Sequence, residues 1–210
     1  MDLESPLRTI ASPVEAETLR VLAGADTEFS AAQIYRLIET ASPYGVRKAL
    51  ARLTDSGLVL SESRGSSTLW RGNRHHVLWA AIDSAVNARQ ELLNRLRLQF
   101  AERTELAAYL YGSFARRAAT PDSDIDILVV YPDDAVEDDI VDFAHGLSEH
   151  VLAWTGNYGH VYNARRSWLR DSIARADSVM MSIRQDAVAL VGPDFEQLLR
   201  AIDAEKGARV

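Results

Sequence analysis

The chain has 210 residues, of which 47% are apolar and 25% are charged. This composition is typical of globular proteins and excludes a disordered chain. The longest apolar run, 77–82, is far shorter than the roughly 20 residues of a membrane helix. The first residues lack the basic and apolar regions of a secretory signal, and the absence of cysteine excludes disulfides and thiolate metal sites. We expect a cytoplasmic protein of one large or two small domains, with no membrane partner.

Charge is distributed unevenly along the sequence. The formal net charge of −7 divides into +1 for residues 1–103 and −8 for residues 104–210. Residues 30–103 carry 11 basic and 6 acidic side chains. Because salt screens charges beyond about 10 Å, only this local basic excess bears on nucleic-acid binding. The two halves of the chain therefore differ in character.

The first 75 residues predict three short helices followed by a β-hairpin. Helix starts are expected at Ser12, Ser30 and Ser42, because serine caps helices and each is followed by proline or by a residue that completes a capping box. Two or three residues separate the second and third helices, as in a helix-turn-helix. Residues 58–71 alternate around a Gly/Ser turn and predict the hairpin. Over about residues 12–74 this order resembles the winged helix-turn-helix domains of bacterial transcriptional regulators.

The resemblance implies that the third helix and the hairpin contact double-stranded DNA. The candidate DNA-binding side chains are Tyr44, Arg47, Lys48, Arg52, Arg64 and Arg71. Arginine and lysine at such places contact phosphates and base edges. Two alternatives stay open: these cations are ordinary surface groups on a domain that contacts protein, and Tyr44 packs into the core.

Residues 76–103 predict one long helix that connects the halves. Large apolar residues recur at spacings of three and four along much of it. A helix of this length spans roughly 40 Å. No glycine- or proline-rich linker separates the halves, so we expect a stiff junction. Three roles stay open for this helix: joining the two halves, pairing with its own copy in a homodimer, or both.

The second half predicts alternating strands and helices, and one motif in it carries chemistry. Gly112 and Ser113 follow the first strand, and Asp124 and Asp126 begin the second. Side chains alternate along a strand, so both carboxylates point to one side, where a divalent cation such as Mg²⁺ relieves their repulsion. Ser113 is expected at a helix N-terminus, which favours an anion. A phosphate site beside a metal site predicts chemistry on a nucleoside triphosphate, and a solvated acidic turn is the alternative.

Gly-Ser, ten residues and Asp-Ile-Asp resemble the signature of the minimal nucleotidyltransferases of the DNA polymerase β superfamily. The flanking residues 111–116 and 121–129 also match this pattern. The resemblance covers about residues 104–192. It implies that Gly112 and Ser113 hold the triphosphate and that Asp124 and Asp126 are catalytic residues that bind Mg²⁺. A site with two Mg²⁺ ions is also compatible with the resemblance.

The family transfers a nucleoside monophosphate and releases pyrophosphate, so the resemblance implies this reaction with a nucleoside triphosphate as donor. For Arg116, a contact with phosphate and a surface ion pair are both open. Minimal nucleotidyltransferases often act as antitoxins beside HEPN-type toxins, so a toxin is one candidate protein partner.

Two positions depart from the family pattern. Arg117 stands where the family usually has glycine. The predicted third strand, 157–163, contains no acid where the family has a third catalytic carboxylate, and Asn163 or else His160 is expected in its place. Losing a catalytic base commonly slows a reaction by about 10²–10⁴-fold. Binding of metal and nucleotide is therefore better supported than turnover.

The predicted fold class is α+β, in three parts: a winged helix-turn-helix domain in 1–75, the connecting helix in 76–103, and a nucleotidyltransferase-type mixed sheet flanked by helices in 104–210. Two functions follow. In the first, the protein is a DNA-binding enzyme that transfers a nucleotide to a protein, a nucleic acid or a small molecule. In the second, it is a transcriptional regulator or antitoxin-type protein whose nucleotidyltransferase domain is catalytically degenerate.

Overall fold

The computed structural model describes residues 1–38, 41–175 and 178–207. The chain divides into two compact units: residues 2–89 form one, and residue 1 with residues 90–210 forms the other. Each unit has its own sheet and its own hydrophobic core. None of the helices described in these ranges is both long and apolar enough to span a membrane.

The unit of residues 2–89 combines helices with a three-stranded antiparallel sheet, in which the last strand along the chain lies between the other two. Its elements are a 3-10 helix (Pro6–Thr9), α1 (Pro13–Ala23), β1 (Phe29–Ser30), α2 (Ala31–Leu37), α3 (Pro43–Asp55), β2 (Val59–Arg64), β3 (Ser67–Gly72) and α4 (Trp79–Val86). The Ser30 and Ser42 hydroxyls accept the predicted capping hydrogen bonds from the N–H groups of Gln33 and Gly45. At Ser12 the hydroxyl instead donates to the Glu15 carboxylate. The three predicted helices and the hairpin are confirmed.

A buried carboxylate joins α1 to the N-terminal segment. Glu17 accepts a hydrogen bond from the Ser5 hydroxyl and forms ion pairs with Arg8 and Arg20 at 2.9 and 2.8 Å. Burial raises the pKa of Glu17, but the hydrogen bonds from Ser5 and Arg20 and the two arginine charges outweigh it, so the pKa lies below its usual value. Glu17 is therefore held in its charged form.

The segment predicted as one long helix contains two helices, so that prediction is wrong. α4 ends at Val86, and α5 (Ala88–Gln99) begins after Asn87, whose φ of −93° and ψ of 11° are not helical. The Asn87 side chain donates to the Asp83 carbonyl, and such side-chain bonds compete with helix continuation. The spacing of apolar residues continues across a one-residue break, so it could not predict this one. The boundary between the two units, after Arg89, lies inside this segment.

The second unit is built on a four-stranded mixed sheet. Its elements are α5, β4 (Ala107–Tyr111), α6 (Gly112–Ala115), β5 (Ile125–Tyr131), α7 (Glu137–Thr155), β6 (Gly159–Arg165), α8 (Arg166–Ala174), α9 (Ser178–Asp186), β7 (Val188–Val191) and α10 (Phe195–Gly207). The strand order is β6-β5-β4-β7, with β5 and β6 parallel. The α+β fold class and the mixed sheet flanked by helices are confirmed.

Strand β5 is buried on both faces except where it begins. Leu128 and Val130 pack in a core with residues of α8, α9 and α10. Ile127 and Val129, on the opposite face, are fully buried as well. Only Asp126, the second residue of the strand, is partly open to solvent. The start of β5 is therefore the part of this strand that a ligand can reach.

Candidate active site

Gly112 lies where β4 passes into α6, directly against a carboxylate. Its φ of +71° falls in the left-handed region, which glycine adopts without the steric cost of a side chain. A Cβ at this position would lie 2.4 Å from Asp126 Oδ2. The sequence needs glycine here for both reasons.

Asp126 and Asp124 form the acidic part of the site. Asp124 is exposed and precedes β5, whereas the Asp126 side chain is 25% exposed. Burial raises the pKa of Asp126 above its usual value, the hydrogen bond and charge of His160 oppose this, and the charge of Asp124 adds to it. Because one carboxylate makes ionisation of the other harder, a cation near both would be favourable.

Strand β6 brings His160, and not Asn163, to the site. His160 pairs with Asp126 in the parallel register, and its Nδ1 is 3.4 Å from Asp126 Oδ1. Asn163 pairs with Val129, and because side chains alternate it belongs to the opposite face of the sheet. The placement of Asn163 in the site is therefore wrong. Of the two residues expected in place of the third acid, His160 is the one that lies beside Asp126.

The donor set fits one kind of metal binding only. In the described ranges 1–38, 41–175 and 178–207, no three His, Asp or Glu side chains lie close enough together to hold a metal ion. Mg²⁺, however, is usually held in proteins by one or two carboxylates together with substrate phosphates and water. Asp124 and Asp126 therefore fit an ion that arrives with a phosphate ligand, and they do not form a closed cage.

The segment after Gly112 contains a short helix and an ion pair. The helix expected to begin at Ser113 is the four-residue turn α6, in which Ser113 is the second residue and partly exposed. Arg116 forms an ion pair with Asp186, whose side chain is only 5% exposed. Of the two interpretations of Arg116, the structure contains the ion pair.

The backbone conformation of Arg117 accounts for the glycine that the family usually has at this position. Arg117 has a φ of +59°, which is positive although the residue is not glycine. This backbone position therefore requires the left-handed conformation, which costs a side-chain-bearing residue of order 1–3 kcal/mol. Arginine here indicates that the surrounding loop is held firmly enough to impose it.

Sequence reasoning missed two residues that shape the site. Tyr111 pairs with Asp126 across β4 and β5, and burial together with the charges of Asp126 and Tyr162 raises the pKa of Tyr111 to about 12. Asn157 donates its side-chain N–H groups to the Pro121 and Ser123 carbonyls in the loop before Asp124. Tyr111 lies within the matching segment 111–116, but the pattern gives it no role of its own. No local pattern marks Asn157, because its contacts are with a segment distant in sequence.

The residues predicted to contact DNA from α3 share one exposed face. Tyr44, Arg47, Lys48 and Arg52 are exposed, and the other side of the helix is buried. Tyr44 is 77% exposed, so its alternative placement in the core is wrong. Arg52 pairs with Glu15 at 3.1 Å. The structure thus brings these four side chains together on one surface.

The two hairpin arginines differ from each other. Both are exposed. Arg64 is bound by Glu28 and Glu62, each at 3.0 Å. A phosphate would have to compete with these carboxylates for Arg64. Arg71, on β3, pairs in register with Leu60 of β2.

Comparison with known proteins bears on the second unit. The family model of the nucleotidyltransferase domain matches residues 91–201, just over half of the chain. No curated protein matches the sequence. Solved structures similar to the chain include a toxin–antitoxin with AMP-PNP (17% identity, 55% of this chain and 87% of that chain, TM-score 0.37) and the toxin–antitoxin MntA–HepT (18%, 57%, 87% and 0.34).

The archaeal chromatin protein TrmBL2 is similar over more of the chain. It covers 87% of this chain and 77% of its own, with 10% identity and a TM-score of 0.32. The residues matched by the family model, 91–201, include Gly112, Ser113, Asp124, Asp126 and His160.

Proposed function

The chain belongs to the nucleotidyltransferase domain family, and on this basis we propose that its second unit binds a nucleoside triphosphate with Mg²⁺ and transfers the nucleoside monophosphate to an acceptor. One observation carries the proposal. At Gly112 the φ of +71° and the lack of a Cβ let the Asp126 carboxylate lie directly against the backbone where β4 passes into α6. A carboxylate that can bind Mg²⁺ is thereby held next to Ser113 and the backbone N–H groups that would bind the phosphates of the same nucleotide.

The proposed roles follow from the chemistry of each group. Ser113 and the backbone N–H groups around it bind phosphate oxygens as hydrogen-bond donors. Asp124 and Asp126 would hold Mg²⁺, which supplies positive charge to the triphosphate when bound. Arg116 stays paired with Asp186. Its positive charge also opposes part of the burial-induced rise in the pKa of Asp126.

A second candidate function is nucleotide sensing without transfer. It is favoured by the residue beside Asp126 on β6, which is His160 and not an acid. The family has a third carboxylate on a later strand, and an imidazole cannot supply its negative charge to metal or acceptor. In this case the domain binds Mg²⁺ and nucleotide through Asp124 and Asp126 but releases no pyrophosphate.

Pyrophosphate release distinguishes the two candidates. The protein is incubated with Mg²⁺ and each of ATP, GTP, CTP and UTP, labelled at the α-phosphate, together with protein, nucleic-acid and small hydroxyl acceptors. Transfer predicts pyrophosphate and labelled acceptor from the wild type, both lost in Asp124→Asn/Asp126→Asn. Asp122→Asn, an exposed neighbour in the same loop, is the matched control and should retain activity. Nucleotide binding without pyrophosphate would identify the sensor.

We also propose that the first unit is a winged helix-turn-helix domain that binds double-stranded DNA through α3. The support is the exposed face that carries Tyr44, Arg47, Lys48 and Arg52. Phosphate contacts by such cations release counterions, so the logarithm of affinity should fall linearly with the logarithm of salt concentration. Affinity for duplex DNA that does not change with salt would contradict the proposal.

Two partner predictions complete the proposal. A second copy of the chain is expected to pair through residues 76–103, and a monomer in light scattering at micromolar concentration would contradict it. A toxin or another protein is expected among the acceptors, which the labelled transfer experiment tests directly.

A further inference from the structure

A buried asparagine lies behind the loop that leads into β5. Asn157 is 5% exposed. Its side-chain nitrogen donates to the carbonyl oxygens of Pro121 at 2.9 Å and of Ser123 at 3.0 Å. A side-chain amide has two N–H donors, so both are used on this one loop. The position of the loop therefore depends on Asn157.

The end of α7 places Asn157 accurately. The helix ends at Thr155, and Gly156 reverses the chain with φ +72°. The Thr155 hydroxyl donates to the Val151 carbonyl at 2.7 Å and accepts the backbone N–H of Asn157 at 3.0 Å. Asn157 is thus fixed to a 19-residue helix before its side chain reaches the loop.

The same segment holds the backbone on both sides of Asp124. On one side, the Asn157 side chain binds the Ser123 carbonyl. On the other side, the N–H of Ile125 donates to the carbonyl of Tyr158 at 2.8 Å. Asp124 is exposed and lies between these two anchored peptide groups. Its carboxylate can be held at a constant distance from Asp126 only if both anchors are present.

The loop has one further constraint of its own. The N–H of Thr120 donates to the Ser123 hydroxyl at 2.8 Å, and the N–H of Ser123 donates to the Thr120 carbonyl at 3.0 Å. These bonds close a turn within the loop, but they do not attach it to the sheet. That attachment comes from Asn157 and from the pairing of Ile125.

We propose that Asn157 is a positioning residue for Asp124, which it holds at the spacing from Asp126 that a bound Mg²⁺ requires. This inference rests on the proposed function of the same site. Mg²⁺ demands nearly ideal octahedral geometry, so small displacements of a carboxylate ligand weaken its binding. Phosphate contacts at Gly112 and Ser113 do not pass through Asn157. Substitution of Asn157 should therefore change the Mg²⁺ concentration needed for binding more than it changes the nucleotide affinity at saturating Mg²⁺.

The test measures how much Mg²⁺ is needed for nucleotide binding. Each of ATP, GTP, CTP and UTP is titrated calorimetrically at a series of Mg²⁺ concentrations and in EDTA. Asn157→Asp keeps the shape of the side chain but replaces its N–H donors with oxygen, which faces the two carbonyls. We expect it to raise the Mg²⁺ requirement by about 10–100-fold, the usual effect of losing a residue that orients metal ligands. At saturating Mg²⁺ the nucleotide affinity should approach that of the wild type, and in EDTA neither protein should bind.

Two further variants separate positioning from general stability. Asn157→Ala removes the donors without adding charge, and it should raise the Mg²⁺ requirement in the same direction. Ser148→Ala is the matched control, because the Ser148 hydroxyl donates to the Gly159 carbonyl at 2.8 Å and does not contact the loop. Ser148→Ala should lower the melting temperature and leave the Mg²⁺ requirement unchanged.

The outcomes distinguish this inference from the function on which it rests. If the wild type shows no Mg²⁺-dependent binding of any of the four nucleotides, the proposed function and the positioning role are both overturned. If the wild type binds and both Asn157 variants keep its Mg²⁺ requirement, only the positioning role is overturned. A melting temperature lowered without any change in metal requirement is also evidence against it.

Discussion

The exposed face of α3 and the end of β5 both carry charged side chains, but they are assembled differently. The α3 residues come from nine consecutive positions of one helix, 44–52, and lie in solvent. At β5, Asp126 and His160 are 34 residues apart and meet only because their strands pair. The Asp126 carboxylate is partly buried, with a pKa raised by its surroundings. Each substitution on α3 should therefore weaken DNA binding by a small and additive amount. At β5, a change of a single side-chain group should be enough to abolish nucleotide binding.

The largest effect is expected from Gly112→Ala. The added Cβ would lie 2.4 Å from Asp126 Oδ2, on a backbone with φ +71°. The backbone strain alone costs of order 1–3 kcal/mol, and Asp126 must also move. We expect Mg²⁺-dependent nucleotide binding to be lost in calorimetry.

The matched control is Gly146→Ala in α7, where no atom lies within 4 Å of the added Cβ. Alanine favours a helix over glycine by roughly 0.5–1 kcal/mol, so this variant should be slightly more stable and bind normally. Wild-type nucleotide affinity in Gly112→Ala would contradict the assignment of the site.

The next largest effect concerns the missing third carboxylate. His160→Asp places an acid beside Asp126 and should increase pyrophosphate release by about 10²-fold if a missing base limits transfer. Asn163→Asp adds the same group on the opposite face of β6 and should change nothing. An equal effect of the two substitutions would show that the register does not determine which residue serves the site.

A buried charge in the first unit allows a test by acid. Glu17→Gln removes the ion pairs with Arg8 and Arg20 and should lower the free energy of unfolding of that unit by about 1–3 kcal/mol at pH 7. Because the folded-state pKa of Glu17 is lowered, its contribution is complete above the ordinary glutamate value of about 4.3 and is lost as the pH falls below it.

Urea unfolding at several pH values, followed by amide hydrogen exchange in residues 2–89, measures this difference. The gap between wild type and Glu17→Gln should narrow in acid. Glu62→Gln, in an exposed pair with Arg64, is the control and should leave unfolding unchanged. A gap that stays constant down to pH 2 would contradict the role given to Glu17.

The smallest effects are expected on α3. Arg47→Ala should weaken binding to duplex DNA and reduce the slope of log affinity against log salt by about 1. Arg64→Ala should change the slope less, because Glu28 and Glu62 already bind that arginine. The slopes are measured by fluorescence anisotropy. If both variants reduce the slope equally, the ion pairs of Arg64 with Glu28 and Glu62 must break when DNA binds.

The same contrast explains what could be read from the sequence. The helices of the first unit, the hairpin and the four strands of the second sheet follow local patterns and appear close to where the sequence predicts them. His160 and Asn163 could not be separated, because a shift of one residue in strand register moves a side chain to the other face. The Arg116–Asp186 pair joins residues 70 apart, and the Asn157 contacts join residues 34 and 36 apart. Such partners are determined by strand pairing and packing, which no local pattern encodes.

The central prediction is that the start of β5, with Asp124 and Asp126, is a Mg²⁺-dependent nucleotide site. Calorimetric titration of ATP, GTP, CTP and UTP, each with Mg²⁺ and with EDTA, tests it most directly. We predict that at least one nucleotide binds the wild type only when Mg²⁺ is present, and that Asp124→Asn/Asp126→Asn abolishes this binding. If no nucleotide binds the wild type, or if binding persists unchanged when Mg²⁺ is replaced by EDTA or when both aspartates are replaced, the claim is contradicted.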